Sequence, residues 1–369
     1  MRNQRLLGLI EVAMLSTMII SVSASQKSFA RSQVTINGAG ATFPFPLIDT
    51  WRVAYQKVHP NVNINYQSIG SGGGVKQFTE KTVDFGASDA PLNAHERQAA
   101  PGAVHIPETI GSVAVAYHIP GIPTKTLKFT GPVLAEIFEG KITKWNDPQI
   151  KALNPGISLP AANIVVVHRS DGSGTTYFWT SYLSNESPSW NETVGASKSV
   201  PWPTGVGARG NEGVANAIKG SPNTIGYLEL NYALTTDIPY ALIKNAAGNF
   251  IAPSLNSTQA AVADSTIANS LPVGDQSWTK VSLLNSPGSN TYPIVSFTYL
   301  LIPKDLSINP SLDQTKAKAL VDFISWAITD GQKLAANLGY VPLPAVVVKH
   351  NQDTLKSLTF KGTPLYTGP

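Results

Sequence analysis

The chain has no cysteine among its 369 residues. That excludes a disulfide framework, a thiolate metal site, a cysteine nucleophile and a lipid-bearing N-terminal cysteine. A chain of this length has room for about two domains and a core large enough to need no covalent staples. Charge is also scarce. Asp, Glu, Lys and Arg make up 14 % of the residues, against roughly a quarter in ordinary soluble proteins. The formal balance is +4 overall, and beyond residue 30 it is 24 basic against 22 acidic. So even a balance leaves no broad basic face, which argues against a nucleic-acid partner. His59, His95, His105, His118, His168 and His350 fall at no ligand spacing, so neither a metal nor another cofactor is expected. Beyond residue 30 no apolar run reaches the length of a membrane span, and no internal repeat is visible.

The first thirty residues are expected to be an export signal. Arg2 and Arg5 supply a basic start, Leu6 to Val22 is mostly apolar, and small residues follow up to Ala30. Cleavage after Ala24 and after Ala30 both fit. Glu11 interrupts the apolar stretch, which is short for a membrane anchor.

Beyond the signal, strand and helix patterns alternate. Val34 to Ile36 and Val62 to Ile69 read as strands, and Leu47 to Val58 as a helix entered through Pro44 and Pro46. Gly70 to Gly74 reads as a tight junction ahead of a helix over 75–82, and 83–89 as a short strand. Val104 to Ile119 reads as an apolar stretch that crosses between lobes. Strands are expected at 164–167, 224–228 and 293–302, with helices over 132–138, 177–183, 211–219 and 317–328. Gly331 is placed to stop the last of these. Residues 243–290 are Ser-, Thr-, Asn- and Pro-rich and carry no clear period. The alternation predicts an α/β fold with parallel or mixed sheets.

Three Gly-rich turns each follow a strand pattern and precede a helix pattern: Gly38 to Pro44, Gly70 to Gly74, and Asp171 to Thr176. Such junctions lie at strand C-terminal ends, where free helix-start N–H groups gather anions. Thr42, Ser71, Ser173 and Thr175 add hydroxyls, although each alone also reads as a helix cap. Arg169 stands ahead of the third turn. It reads as a loop ion pair with Asp171, or as a two-pronged anion clamp that Asp171 holds in place. Asp89 reads as a turn residue or as a filter: an ionised carboxylate only accepts, so it tolerates an anion that carries a proton and repels one that does not. Two sockets far apart in sequence suggest one anion held between two lobes.

Enzyme motifs fail on inspection. Gly205 to Gly210 fits a dinucleotide fingerprint, but Pro201-Trp202-Pro203 precedes it where a strand is needed, so it reads as a loop before the 211–219 helix. Gly172-Ser173-Gly174-Thr175 lacks the lysine of a phosphate loop. Gly86 to Ala90 lacks the last glycine of a nucleophile elbow, and His95-Glu96 has no second histidine at metalloprotease spacing. A phosphatase or phosphoryl-transfer enzyme, or a receptor for another oxyanion, remains the alternative.

These motifs together resemble the phosphate-binding proteins of bacterial and archaeal phosphate-uptake ABC transporters. The resemblance also draws on Gly210-Asn211-Glu212-Gly213 and Ile225-Gly226-Tyr227. It implies a two-lobed periplasmic-binding-protein-like α/β fold, hinged around a cleft that closes on one phosphate. Lobe I would comprise 31–113 and 290–369, and lobe II 114–289. The phosphate ligands implied are Thr42, Phe43, Ser71, Asp89, Arg169, Ser173, Gly174 and Thr175, with Asp171 orienting Arg169. Ser170 departs from the alanine common in the family. The implied protein is an exported, non-enzymatic monomer that delivers inorganic phosphate to permease subunits.

Overall fold

A computed structural model describes residues 33–263, 267 and 271–368. The expected export signal lies outside the described residues. Each expected strand from the first half forms where the apolar run ends in a small residue. Strand β1 is Val34–Gly40, helix α1 Phe45–Val58, β2 Val62–Ser68, α2 Ser71–Thr79 and β3 Phe85–Ser88. Helix α1 opens on Pro46 and turns Leu47, Ile48, Trp51 and Tyr55 into the core. A short helix α3, Ala94–Ala99, carries an Asn93/Glu96 capping box, and β4, Ala103–His118, runs sixteen residues.

The middle of the chain supplies β5 Lys128–Phe129, α4 Gly131–Phe138, α5 Pro148–Leu153, β6 Val165–Arg169, α6 Gly174–Glu186 and α7 Pro188–Thr193. Then come β7 Val206–Ala208, α8 Gly210–Gly220, β8 Thr224–Glu229 and α9 Leu230–Thr236. The unpatterned region holds β9 Leu242–Lys244, β10 Phe250–Ile251 and α10 Leu255–Ala263. Last come β11 Val295–Pro303, α11 Gln314–Ala327 and α12 Ala345–Lys356.

Eight strands form one mixed sheet in the order β2-β1-β3-β11-β4-β8-β6-β7. Its outer parts are parallel: β1 with β2 and β3, and β6 with β7 and β8. The centre is antiparallel. Strand β4 pairs with β11 over residues 103–112 and with β8 over 113–118. Both long central strands are buried along nearly their whole length, which accounts for their almost unbroken apolar sequence. The short strands β5, β9 and β10 make a separate small sheet.

Three expectations are corrected. The glycines after Gly70 lie inside α2, because the helix starts at Ser71. Gly74 lets the helix press against the sheet: a Cβ there would lie 2.4 Å from the Gly40 Cα. Gly331 does not end α11, which stops at Ala327. It sits in the following 3-10 turn, where its carbonyl accepts from Trp51 Nε1 at 2.8 Å. The segment after Pro203 is not all loop, since Val206–Ala208 pairs as β7 alongside β6.

Candidate functional site

All the sequence-selected residues sit just past the C-terminal ends of parallel strands. Thr42 and Phe43 follow β1, Ser71 follows β2, and Asp89 follows β3; Asp171, Ser173, Gly174 and Thr175 follow β6, whose last residue is Arg169. Strands of this kind end at α/β crevices, so the topology brings both sets to one place. The two sets meet. Gly72 N–H donates to the Gly172 carbonyl at 2.8 Å, and Gly174 N–H donates to Ser71 Oγ at 3.1 Å. Lys198 and Glu96 form an ion pair beside this contact.

Close approach explains the glycines. Gly70 has φ +87°, and a Cβ there would lie 2.2 Å from Asp171 Oδ2. A Cβ on Gly174 would lie 2.4 Å from the Asp89 Cβ. The surrounding groups are shut away from solvent; Thr42, Ser71, Asp89, Arg169, Ser173 and Thr175 are all buried.

Arg169 makes a two-pronged pair with Asp171, Nε to Oδ1 at 2.7 Å and Nη2 to Oδ2 at 2.5 Å. Burial works against the guanidinium charge, but the hydrogen bonds and charge of Asp171 override it and raise the Arg169 pKa. Burial likewise opposes ionisation of Asp171, and Arg169 outweighs it to lower that pKa. Asp171 Oδ1 also accepts from Gly210 N–H. The remaining Arg169 prong, Nη1, donates to Thr175 Oγ1 at 3.4 Å.

The hydroxyls have a set polarity. Thr42 Oγ1 accepts from Asn211 N–H at 3.2 Å and from Asn211 Nδ2 at 2.8 Å. Thr175 Oγ1 accepts from Arg169 Nη1 and from Asn211 Nδ2 at 3.3 Å. Ser71 Oγ accepts from Gly174 N–H and from Asp89 N–H. A hydroxyl has two lone pairs and one hydrogen, so once both lone pairs are filled it acts only as a donor. Ser173 caps α6 by accepting from Thr176 N–H, and its own N–H donates to the Lys198 carbonyl, which leaves its hydroxyl hydrogen. The helix starts at Ser71 and Thr175 add N–H groups that have no acceptor within their own helix. The backbone at Thr42 and Phe43 is anchored by two phenols: Tyr232 donates to the Thr42 carbonyl and Tyr340 to the Phe43 carbonyl, each at 2.6 Å.

Asp89 is the exception in this donor-rich lining. Its Oδ1 accepts from the Thr298 hydroxyl at 3.0 Å, while Oδ2 lies 3.5 Å from Ser71 Oγ. Burial pushes the carboxyl up to about 7, with Thr298, Arg169 and Ser71 pulling it down and Asp171 adding to the push.

Several residues in this cluster carried no assigned role in the sequence. Asn211 ties Thr42 to Thr175 and accepts from Glu229 N–H through Oδ1. Tyr227 accepts from Arg169 N–H and bonds Thr176. Both stand in motifs that the resemblance singled out. Thr298 had no such signal. His168 stacks on Trp202 with ring centroids 4.7 Å apart, and burial lowers its pKa, so it is a packing residue beside the site.

Comparison with known proteins agrees with this architecture. The family model described as "PBP superfamily domain" matches residues 24–330. The phosphate-binding protein PstS of Pasteurella multocida is 43 % identical over 340 residues, 92 % of this chain and 95 % of its own length. That of Methanocaldococcus jannaschii is 42 % identical, over 86 % of this chain and 85 % of its own. Among solved structures, a phosphate-binding protein from Stenotrophomonas maltophilia superposes with a TM-score of 0.66 at 19 % identity, covering 89 % of this chain and 96 % of its own. That likeness supports the two-lobed fold alone. With the family model matched over most of its length and a relative 43 % identical along nearly all of it, the chain belongs to the phosphate-binding proteins of the PBP superfamily.

Proposed function

We infer that the chain captures inorganic phosphate between two lobes and delivers it to an ABC transporter for import. The observation that carries this reading is the fixed polarity of the lining. The hydroxyls of Thr42, Ser71 and Thr175 have both lone pairs occupied by N–H donors and can only donate. A guest there must be rich in acceptors. Asp89, the lone acceptor, requires that the guest also bring a proton, which phosphate does and sulfate does not.

Thr42 and Ser71 grip from N–H and hydroxyl, Phe43 from N–H, Thr175 from its helix start, and Ser173 from its hydroxyl, while the Gly174 N–H, bonded to Ser71 Oγ, aims the Ser71 hydroxyl. Arg169, held by Asp171, supplies the one full positive charge. Residues 31–113 and 290–369 form one lobe and 114–289 the other. Support for these limits comes from β4, which changes partner between Ser112 and Val113, and from the Val113 N–H bond to the Ile294 carbonyl. The lobes close by hinge motion on the guest and present the closed form to permease subunits.

The protein works by binding and release. Donor-only hydroxyls make poor nucleophiles, since their lone pairs are engaged by N–H donors. The mature chain is exported and acts as a monomer. Equilibrium dialysis of residues 31–369 against radiolabelled phosphate should give one bound phosphate per chain. No retained phosphate, or turnover of a generic phosphate ester, would overturn the reading.

A further inference from the structure

Behind Asp89 lies a second acid. Glu108 is fully buried, and its Oε1 is 3.2 Å from the same Thr298 Oγ1 that bonds Asp89 Oδ1. Its backbone position is irregular. Opposite β11, Thr298 pairs with Thr109 and Tyr299 with Pro107, so Glu108 is the extra residue of a β-bulge. Bulges re-aim a side chain out of the regular alternation. Here Gln332 Nε2 donates to the Glu108 carbonyl at 2.9 Å and Asn351 Nδ2 to the Pro107 carbonyl at 2.6 Å.

The hydrogen count along Asp89–Thr298–Glu108 is decisive. Thr298 has one hydrogen and two carboxyl neighbours. If it donates to Asp89, the contact with Glu108 is a hydrogen bond only when Glu108 carries a proton and donates in turn. The other Glu108 oxygen, Oε2, has no hydrogen-bond partner among the described residues. That is tolerable for the carbonyl of a neutral acid and costly for a buried carboxylate. Charge points the same way, because the Arg169 cation is already committed to Asp171.

We propose that Glu108 is a specificity-positioning residue: it remains a neutral acid, donates to Thr298, and through it holds Asp89 ionised with Oδ2 turned toward the anion. This rests on the phosphate reading of the site. The relay runs Glu108 Oε1–H to Thr298 Oγ1, then Thr298 O–H to Asp89 Oδ1. Burial, opposed by Thr298 and reinforced by the charge of Asp89, pushes Glu108 up to about 8. Asp89 and Glu108 therefore share one proton between about pH 7 and 8 as a coupled pair. The charged or ionisable groups facing them are Arg169, Asp171 and Glu229; burial raises Glu229 well above its usual range. The phenols of Tyr66, Tyr232, Tyr299 and Tyr340 also face the pair, and burial keeps them neutral.

Phosphate affinity measured from pH 7.5 to 9.5 tests the relay, because free phosphate stays mainly dianionic across that range. The unaltered chain should weaken about tenfold per unit above pH 8 as Glu108 loses its proton. E108A should weaken phosphate binding and lower its preference over sulfate. E108Q, whose amide donates to Thr298 at every pH, should rescue both and abolish the alkaline limb. An alkaline limb that persists in E108Q, or an E108A defect that E108Q does not rescue, overturns the proposal. Infrared difference spectra of ligand-free protein at pH 7.5 decide independently of phosphate. A protonated-carboxyl band lost in E108Q supports the relay, and its absence from the unaltered chain refutes it. If the unaltered chain binds no phosphate at pH 7.5, the functional reading fails, while the infrared band still decides the state of Glu108.

Discussion

Replacing Asp89 by Asn removes the one acceptor from the lining while nearly preserving its shape. Thr298 still donates to a side-chain oxygen in the Oδ1 position, 3.0 Å away. The amide nitrogen then falls in the Oδ2 position and donates where the carboxylate accepted. Phosphate loses one charge-assisted hydrogen bond, about 1.5–3 kcal/mol, or roughly 10- to 150-fold in affinity. Sulfate gains a donor in place of two facing sets of lone pairs, a change of about the same size in the other direction. The phosphate-over-sulfate preference should therefore fall by roughly 10²- to 10⁴-fold in D89N. Calorimetric titration with each anion at pH 7.5 reads both affinities. The unaltered chain offers an internal check. Burial holds Asp89 at about 7, so acidification protonates it. Competition by sulfate should strengthen toward about tenfold per unit as the pH drops below 7. A D89N variant with undiminished selectivity would remove Asp89 from the account.

Gly174→Ala places a methyl 2.4 Å from the Asp89 Cβ and 2.5 Å from Oδ2. The overpacking, about 1–3 kcal/mol, should weaken phosphate roughly 5- to 150-fold in a fluorescence titration; unchanged affinity would contradict the close approach of the two segments. Asn211→Ala cuts the bridges to Thr42 and Thr175 and leaves the buried Glu229 N–H without its acceptor. Loss of about 1–3 kcal/mol should appear mainly as faster phosphate release in stopped-flow measurements, whereas a normal release rate would place Asn211 outside the grip. Stability should also follow pH. Burial raises the folded pKa values of Asp89, Glu108 and Glu229 above their unfolded values. Their contribution is present in full below about pH 4 and is lost as pH rises through the folded values, near 7 for Asp89 and 8 for Glu108. Ligand-free thermal unfolding should show a smaller drop between pH 5 and 8.5 in E108Q than in the unaltered chain; identical drops would mean that Glu108 is ionised throughout.

Much of this architecture was legible because its signals are local. Apolar runs such as Ile164 to Val167 end in a Gly-rich turn, and that arrangement marks both the strand end and the site. Glycine misled at Gly72 to Gly74. There Gly74 serves the close packing of α2 on β1 and Gly72 the close approach to Gly172, tertiary demands that look like a turn in sequence. Pro201-Trp202-Pro203 hid β7, a three-residue strand held by pairing with β6. Asn211 and Tyr227 stood in recognisable motifs, but their roles depend on partners dozens to more than a hundred residues away. Thr298 and Glu108 were invisible. A threonine in an apolar strand and a glutamate after a proline acquire meaning only when β4 and β11 pair out of register.

The central claim is that a donor-only socket with a single acid selects a protonated tetrahedral anion. Titrating the unaltered chain at pH 7.5 with phosphate and, separately, with sulfate tests it directly. One phosphate per chain, bound at least ~10³-fold more tightly than sulfate, is the predicted result. Comparable affinities for the two anions would contradict it.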